Sequence, residues 1–456
     1  MTGDPAARVP SDRWFLAALS AAILLVQLVT EAPGLGGHHL GMPMVNSGDE
    51  PHYLVVLNSL LLDGDLDLKN NYLSVHLGSL QAGAKFAGSS IDHHSSWYVD
   101  GERRVWVELF QPYVFGWPRD ERGNLIPQLR PGVDPRIAQG PEYSAHPVGI
   151  GFILAPLLFP FRGTRLLEPM AVFMAGVATV LALLLFHRLL RAFSTDTRAI
   201  RFTLVAVFLG SPIWYYSRSF FNEPFLVLSV VGAFTMGLEP RRAPWAGCFV
   251  AAGMLMKPQL VLLCLPLGLP LLLRKDVRNV LLLGVAPVLA GLLLMYLNAK
   301  MYGTWSRGPY PFYRGEFWTG ARGLLFHPTR GLLGFFSVAV LAVVGWPGLL
   351  RRFPLRAGMP LLGFGMVFVL TAVWKYWDGG WCYGPRLLVP VLPLLGLGMV
   401  RVLEWPFFQS FAPRWVAYNL LVFSCLVNGG AVLRYWATVD VPPGPLVAST
   451  VQWLWP

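Results

Sequence analysis

Two adjacent carboxylates follow the first long apolar segment of the chain. Residues 47–54 read SGDEPHYL, so Asp49 and Glu50 are followed by Pro51 and His52. Because proline opens a helix at its first turn and acids favour the position before it, the pair could be an acidic helix cap. Taken alone, such a pair is more often a cap than not, but it could instead supply a general base, since a carboxylate within hydrogen-bond reach of an attacking hydroxyl removes its proton. In the second interpretation one of the pair, Asp49 or Glu50, is the base and the other is a supporting or alternative acid.

Cations interleaved with aromatic residues form a second group with chemical potential. They occur in RGPYPFYRGEFW (307–318) and KYWDGGWCYGPR (375–386). Arginine binds phosphate oxygens through a planar fork, and fixed cations stabilise a leaving group that departs with extra negative charge. The candidates for binding a phosphate are Arg218, Lys257, Arg330, Lys375 and Arg386. The candidate contacts to a sugar or an acceptor are His52, Tyr53, Glu223, Asp378 and Tyr383.

The elements that position these residues are apolar helices. The chain has 456 residues, of which 54% are hydrophobic and only 13% charged, with a mean hydropathy of +0.51. Soluble domains carry about twice that share of charge, and a bilayer core takes about 20 helical residues. The sequence therefore predicts an all-α, polytopic membrane protein. The predicted spans, about eleven, are 14–31, 168–190, 202–217, 225–239, 244–256, 258–273, 279–297, 331–349, 357–374, 387–403 and 415–433.

The distribution of arginine predicts the orientation of these spans. With a cytoplasmic N-terminus, every predicted inside loop carries at least two Lys or Arg residues, as the positive-inside rule requires. The whole chain, 1–456, is then one membrane domain, and 32–167 is a large extracytoplasmic loop over the candidate site. Within that loop we expect an amphipathic helix after Pro51 and an interfacial helix or hairpin over 148–161. The candidate site faces the periplasmic side of a bacterial inner membrane.

Several other classes of function are not favoured. The net charge of +11 is explained by loop arginines, so no nucleic acid is expected as a partner, and the sequence contains no nucleotide-binding motif. The spans carry almost no acids, which argues against an ion-coupled transporter. Adjacent His93 and His94 after Asp92 leave a divalent metal as an open alternative, but no metal or other cofactor is expected. If the reaction transfers an activated sugar, that sugar would have to arrive on a lipid, because the candidate site faces outward whereas nucleotide sugars are cytoplasmic.

The order of these motifs resembles the C-type glycosyltransferase superfamily, which uses polyprenyl-linked sugars. The resemblance is to the protein O-mannosyltransferases and to the aminoarabinose transferases of lipid A, in which an acidic pair after the first span opens a juxtamembrane helix. The most specific match is WDGGWCYGPRLLVPVLPLL (377–395), and FHPTRGLLGFFS (326–337) is a second. Weaker matches are AHPVG (145–149), where His146 replaces the usual lysine, NEP (222–224) with Glu223, and MKPQ (256–259) with Lys257.

The resemblance implies the C-type fold and the role of catalytic base for Asp49. We therefore expect an inverting transferase that moves a hexose or pentose from a polyprenyl-phosphate donor to a glycan, lipid or protein acceptor in cell envelope biogenesis. Its partners would be that donor, the acceptor and membrane lipids. Two alternatives stay open: a polysaccharide polymerase or ligase that uses lipid-diphosphate donors, and a non-enzymatic flippase or transporter of lipid-linked sugars.

Overall fold

The computed structural model of the chain is a bundle of apolar helices. It describes residues 12–31, 38–40, 45, 49–73, 95–99, 103–107, 121, 128–135, 140–306, 312–380 and 382–433. The helices before the bundle core are α1 (Arg13–Leu25), α2 (Glu50–Leu62), α3 (Lys69–Leu73) and α4 (Gly149–Leu158). Those of the first half of the core are α5 (Leu167–Arg191), α6 (Thr197–Phe208), α7 (Ile213–Tyr216), α8 (Glu223–Gly237), α9 (Ala243–Met256), α10 (Cys264–Leu273) and α11 (Val277–Tyr302).

The second half of the bundle contains several short or interrupted helices. These are α12 (Phe317–Phe326), α13 (Leu332–Phe335), α14 (Ala339–Arg352), α15 (Pro354–Ala372), α16 (Leu392–Gly396), α17 (Met399–Leu403), α18 (Pro406–Gln409) and α19 (Phe411–Leu433). Short 3₁₀ segments lie at Val26–Leu28, Phe159–Phe161, Pro240–Arg242, Pro258–Leu263 and Arg386–Val391. Prolines explain many of the interruptions, because proline lacks the amide donor that continues a helix.

The predicted membrane character is supported helix by helix. Within the described residues, five helical stretches are long and apolar enough to cross a bilayer: Leu167–Arg191, Val277–Tyr302, Pro354–Ala372, Arg386–Leu403 and Phe411–Leu433. Each remaining predicted span coincides with a shorter helical stretch, as Glu223–Gly237 does with 225–239. The all-α fold class is confirmed, whereas the count of eleven spans is not.

The predicted helix after Pro51 is present but is not a surface helix. Helix α2 begins at Glu50, and the chain buries eleven of its thirteen residues, including the polar His52, Asn58 and Ser59. It packs against α4, whose Gly151 admits the Val56 side chain at close range. Helix α2 is therefore a rigid buried element, and this can hold a side chain at its N-terminus in a fixed position.

The first large loop contributes small sheets to an otherwise helical fold. Strands β1 (Val29–Glu31) and β2 (His38–Leu40) pair antiparallel. Strand β3 (Ser95–Val99) lies between β4 (Arg103–Val107) and β5 (Glu142–Ser144), and both pairings are antiparallel. The buried β5 leads directly into the 145–149 segment and α4, so the described end of the loop is joined to the bundle.

Close backbone approaches hold the helices that carry the site. A Cβ atom at Gly149 would lie only 2.2 Å from the carbonyl oxygen of Leu255, so α4 and the end of α9 meet without a side chain between them. Helix α9 also packs on α8 and α11, and α8 packs on α5. This packing brings together the N-terminal ends of α2 and α8 and the C-terminal end of α9.

Candidate active site

Arg386 bridges two carboxylates that are far apart in the sequence. Its Nη2 donates to Oδ2 of Asp49, and its Nε donates to Oε1 of Glu223 at 2.8 Å. The guanidinium also lies over the Phe221 ring, 4.5 Å from the ring centroid. The planar fork of arginine suits this geometry, because its donors diverge in one plane toward separate acceptors.

Lys257 completes the cluster through the same glutamate. Its Nζ donates to Oε1 of Glu223 at 3.0 Å. We call Asp49, Glu223, Lys257 and Arg386 the ion-pair cluster. The two carboxylates and the two cations balance their charges, which lowers the desolvation cost of holding these groups in a largely buried place.

Local sequence places each member of the cluster at the end of an element. Asp49 occupies the N-cap position of α2, and Glu223 is the first residue of α8. The positive end of a helix dipole favours a carboxylate at both positions. Lys257 adopts an extended conformation at the C-cap of α9, because the following Pro258 disfavours the helical region for the residue before it.

The turn before Arg386 depends on glycine. Gly379, Gly380 and Gly384 have φ values of 74°, 70° and 58°, in the left-handed region that other residues rarely adopt. Arg386 then begins the 3₁₀ segment Arg386–Val391. The GG and YGPR letters of the 377–395 motif therefore shape the turn that delivers the guanidinium to the carboxylates.

Asp49 has further neighbours at the same carboxylate oxygen that Arg386 binds. Tyr53 Oη donates to Oδ2 of Asp49 at 3.3 Å, and Nδ1 of His146 lies 3.7 Å from the same oxygen. His146 stacks on His52 with ring centroids 4.8 Å apart. The structure thus brings the predicted residues His52 and Tyr53 to the cluster, together with His146.

Exposure distinguishes the two acids. The Asp49 side chain is 22% exposed, whereas Glu223 is fully buried. Burial opposes the ionised form of Asp49, but the charges of Arg386, His146 and His52 and the hydrogen bond from Arg386 hold the pKa of that carboxyl well below its ordinary range. Asp49 is therefore an ionised carboxylate that a second molecule can approach.

Glu50 has a different place from its neighbour. It is fully buried, and its Oε2 accepts a hydrogen bond from the backbone amide of Phe220 at 3.0 Å. This contact joins the start of α2 to the segment that leads into Glu223. As an alternative acid Glu50 is therefore poorly accessible, and its contact makes it a positioning residue for the opposite wall of the cluster.

Three of the predicted binding residues act on the backbone. Arg218 donates to the carbonyl of Val432, and Arg330 donates to the carbonyls of Cys382 and, at 2.6 Å, Gly380. The hydroxyl of Tyr383 donates to the backbone carbonyl of Val427 at 3.4 Å. Arg330 thereby stabilises the glycine-rich turn before Arg386, and all three side chains support the walls of the site.

Lys375 and Asp378 lie toward the surface of the same region. Lys375 is exposed and its Nζ lies 5.7 Å from the ring centroid of Tyr376, while Asp378 is half-buried. Among the described residues neither side chain forms a hydrogen bond or ion pair with the cluster. Both stay predictions as contacts to a larger substrate.

The structure also reveals an unexplained polar residue beside Glu223. Asn222 is 1% exposed, and neither its Oδ1 nor its Nδ2 has a hydrogen-bond partner in the described part of the chain. Oε2 of Glu223 has none either. Buried polar atoms are nearly always paired, so these atoms have hydrogen-bonding capacity that the described protein groups do not use. The letters NEP carried the signal, but only Glu223 was selected from them.

The described residues hold no group of three or more His, Cys, Asp or Glu side chains that could ligate a metal ion. The alternative ligands Asp92, His93 and His94 lie outside the described residues. Between Asp49 and Glu223, the position that a bridging cation would take is filled by the guanidinium of Arg386.

The helical membrane bundle, with a large first loop and an ion-pair cluster at its helix ends, has the architecture of a C-type glycosyltransferase. The structure is similar to that of ArnT from Cupriavidus metallidurans in the apo state, with a TM-score of 0.52, 14% sequence identity and coverage of 97% of this chain and 68% of that one. The similarity to ArnT bound to undecaprenyl phosphate gives a TM-score of 0.51 at 14% identity and covers 97% and 76% of the two chains.

A third solved structure, the apo oligosaccharyltransferase from Archaeoglobus fulgidus, matches at a TM-score of 0.44 and 12% identity over 96% of this chain and 56% of that one. No family model and no curated protein matches the sequence. The shared fold with ArnT confirms the predicted C-type fold.

Proposed function

We propose that this protein is an inverting glycosyltransferase that takes its sugar from a polyprenyl-phosphate donor. The observation that carries the proposal is the ion-pair cluster, in which Arg386 binds the accessible carboxylate of Asp49 and shares the buried Glu223 with a second cation, Lys257. The fold adds support, since ArnT shares it and has been observed with undecaprenyl phosphate. Hexosyl and pentosyl donors both fit this chemistry.

The proposed step is a single displacement at the anomeric carbon. The acceptor hydroxyl oxygen forms the new bond as Asp49 takes its proton. The bond between the anomeric carbon and the phosphate oxygen breaks, and the polyprenyl phosphate leaves with the electron pair. Lys257 and Arg386 stabilise the extra negative charge on that phosphate. One displacement inverts the anomeric configuration.

Arg386 couples donor binding to the strength of the base. In the structure its guanidinium binds Asp49, which keeps that carboxylate a weak base. A donor phosphate competes with Asp49 for the guanidinium, since both ligands are anionic oxygens. As the phosphate draws Arg386 toward itself, the pKa of Asp49 rises and the base gains strength only when the donor is bound.

The unpaired atoms beside the cluster give the sugar its place. The amide of Asn222 can both donate and accept, and Oε2 of Glu223 can accept, so together they match the hydroxyl groups of a sugar ring. A sugar hydroxyl that bonds to them would gain the stability of a buried hydrogen bond.

The distribution of arginine gives the side of the membrane that we expect the cluster to face. With the arginine-rich loops in the cytoplasm, the cluster faces the periplasmic side of a bacterial inner membrane. The acceptor is then a glycan, lipid or protein on that side. No metal is required, because Lys257 and Arg386 supply the positive charge that a divalent cation would bring.

The test is a transfer assay with purified protein in lipid nanodiscs. A panel of radiolabelled undecaprenyl-phosphate hexoses and pentoses serves as donors, with a bacterial cell-envelope extract as the acceptor. The expected result is a labelled product whose anomeric configuration is opposite to that of the donor. A retained configuration would contradict the single displacement.

The same preparation separates the two alternatives. Use of a lipid diphosphate sugar in preference to the monophosphate would favour a polymerase or ligase. Accumulation of donor across proteoliposomes without any new glycosidic bond would favour a flippase. Either outcome would overturn the proposed function.

A further inference from the structure

A second cationic site lies at the end of the bundle remote from the ion-pair cluster. The apolar stretch Arg386–Leu403 has Arg386 at one end and Arg401 near the other. At about 1.5 Å per helical residue, these two arginines are separated by roughly 20 Å. The end that holds Arg401 contains a pocket of about 430 Å³ between α14 and α17, and we call it the arginine pocket.

The polar wall of the arginine pocket carries an excess of positive charge. Arg351, Arg352 and Arg401 line it. Glu404 is the acid beside them: its Oε2 accepts from Arg401 at 2.6 Å and lies 3.6 Å from Arg352. Its Oε1 accepts from Ser194 at 2.5 Å, so the carboxylate is already well satisfied.

Part of this donor capacity has no partner in the described part of the chain. The Nε of Arg401 is buried and has no hydrogen-bond partner among the residues that the structure describes. Within the same residues, Arg351 forms no ion pair and is exposed. Because the Nε of Arg401 is closed off from the pocket, the donors open to a ligand are those of the exposed Arg351, and phosphate oxygens match the fork of its guanidinium.

One wall of the pocket is closely packed because residue 348 lacks a side chain. A Cβ at Gly348 would lie 3.0 Å from Cγ of Arg401 and 3.2 Å from Cζ2 of Trp405. Glycine at this position lets the Trp405 ring and the Arg401 stem pack close to α14. Tryptophan is typical of the membrane–water interface, where its ring contacts both apolar and polar groups.

The apolar wall of the pocket indicates what the phosphate is attached to. Val344 and Pro347 line it. The exposed side chains of Val340 and Val343, 44% and 61% accessible, continue this apolar surface along α14 toward the middle of the bundle. A phosphate at the arginines with a hydrocarbon chain along these valines is the arrangement of an anionic lipid, and basic pockets between membrane helices bind such headgroups.

We propose that the arginine pocket binds a phosphate group, with an anionic phospholipid as the molecule that its walls fit best. The site is independent of the proposed transfer reaction, because none of its residues belongs to the ion-pair cluster. Its place among the arginine-rich loops puts it at the cytoplasmic leaflet.

The test measures retained lipid by native mass spectrometry of the full chain in detergent. Phosphatidylglycerol is titrated against the parent, Arg351→Gln, the Arg351→Gln/Arg401→Gln double variant and the control Arg356→Gln. Arg351→Gln breaks no ion pair of the described residues and is expected to fold normally. We expect the affinity for phosphatidylglycerol to fall about tenfold for each arginine replaced, and to be unchanged in the control.

Further arms distinguish the source of the phosphate. Glycerol phosphate and inorganic phosphate are titrated in the same way. Binding of phosphatidylglycerol that depends on Arg351, with no binding of the soluble anions, supports the lipid headgroup. Equal Arg351-dependent binding of the soluble anions supports the phosphate site with a soluble source. Equal lipid retention by the parent, Arg351→Gln and the double variant would overturn the proposal.

Discussion

Asp49 and Arg386 form an ion pair although 337 positions separate them in the sequence. One lies at the start of the buried helix α2 and the other follows a glycine-rich turn near the end of the chain. Arg386 also donates to Glu223 at the start of α8, so three elements that are distant in the sequence meet at one guanidinium. The proposed chemistry depends on these contacts of Arg386 with Asp49 and Glu223.

Arg386→Lys tests whether the bridge must be a guanidinium. Lysine keeps the charge, but its compact ammonium cannot reproduce the divergent Nε and Nη2 contacts to Glu223 and Asp49. We expect transfer to fall by about 10²-fold, because the phosphate and the base are both mispositioned. Arg386→Met should lower the free energy of unfolding by about 3 kcal/mol, since it removes the cation bound to Asp49 and leaves the buried Glu223 with Lys257 alone.

Thermal denaturation in detergent and steady-state transfer rates measure these two effects. Arg356→Lys is the matched control, because this arginine is exposed on α15. If Arg386→Lys transferred sugar at the parental rate, the bridging role would be wrong.

The pH dependence of kcat/KM follows from the environment of Asp49. Burial raises the pKa of this carboxyl, but Arg386, His146 and His52 together hold it below its ordinary value. The carboxylate therefore stays ionised as pH falls through the ordinary value of about 3.9, and its contribution to stability is lost only below that pH. We expect no acid limb from Asp49 above about pH 5 in the parent.

Arg386→Gln should bring that acid limb into the measurable range. With the guanidinium removed, burial becomes the dominant influence and the pKa of Asp49 rises. Residual transfer by this variant should decrease as pH falls from 8 to about 5, whereas the parent stays flat. Parallel profiles for the two proteins would show that Arg386 does not set the pKa of the base.

Much of the fold followed from the sequence because its signals are local. Apolar blocks predicted the positions of the helices, and Pro51 predicted the start of α2, since both depend on residues close in the chain. The burial of α2 was not predicted: its apolar spacing indicates an amphipathic helix, but its polar residues are buried too, with Asn58 donating to Asn71 and Ser59 donating to Asp65. Such packing depends on partners from elsewhere in the chain.

The candidate site was predicted in part for the same reason. Asp49, Glu223, Lys257 and Arg386 were each selected from a motif, yet the sequence did not show that Arg386 joins the two acids. The sequence also predicted the same role, binding of a phosphate, for Arg218, Arg330 and Arg386, although Arg218 and Arg330 donate to backbone carbonyls. Asn222 was missed because an asparagine before a helix is ordinarily a cap, and only the structure shows its amide unpaired.

Asn222→Leu should separate substrate binding from stability. Removal of a buried amide without partners costs the fold little, and replacement by an apolar side chain of similar size can stabilise it. Affinity for the sugar donor should nevertheless fall by about tenfold, because the ligand loses a hydrogen bond. Melting temperature and donor titration measure the two effects, with undecaprenyl phosphate alone as a control ligand that lacks the sugar. Equal donor affinity in parent and variant would exclude Asn222 from the sugar site.

Glu50→Gln tests the division of labour within the acidic pair. The amide oxygen of glutamine can still accept from the Phe220 amide, so the contact between α2 and the start of α8 is retained. We expect transfer within about threefold of the parent, whereas Glu50→Leu should destabilise the fold by leaving that amide unpaired, at a cost of roughly 1–3 kcal/mol. If Glu50→Gln lost as much transfer activity as Asp49→Asn, the assignment of Asp49 alone as the base would be wrong.

The most direct test of the central claim compares two Asp→Asn variants at helix N-cap positions. Asp49→Asn removes the proposed base, while Asp276→Asn makes the same change at the N-cap of α11, where asparagine caps as well as aspartate. Single-turnover transfer from a radiolabelled undecaprenyl-phosphate sugar is measured at saturating donor in nanodiscs. The account predicts a rate about 10²–10⁴-fold below the parent for Asp49→Asn and a parental rate for Asp276→Asn. Transfer by Asp49→Asn at the parental rate would contradict it.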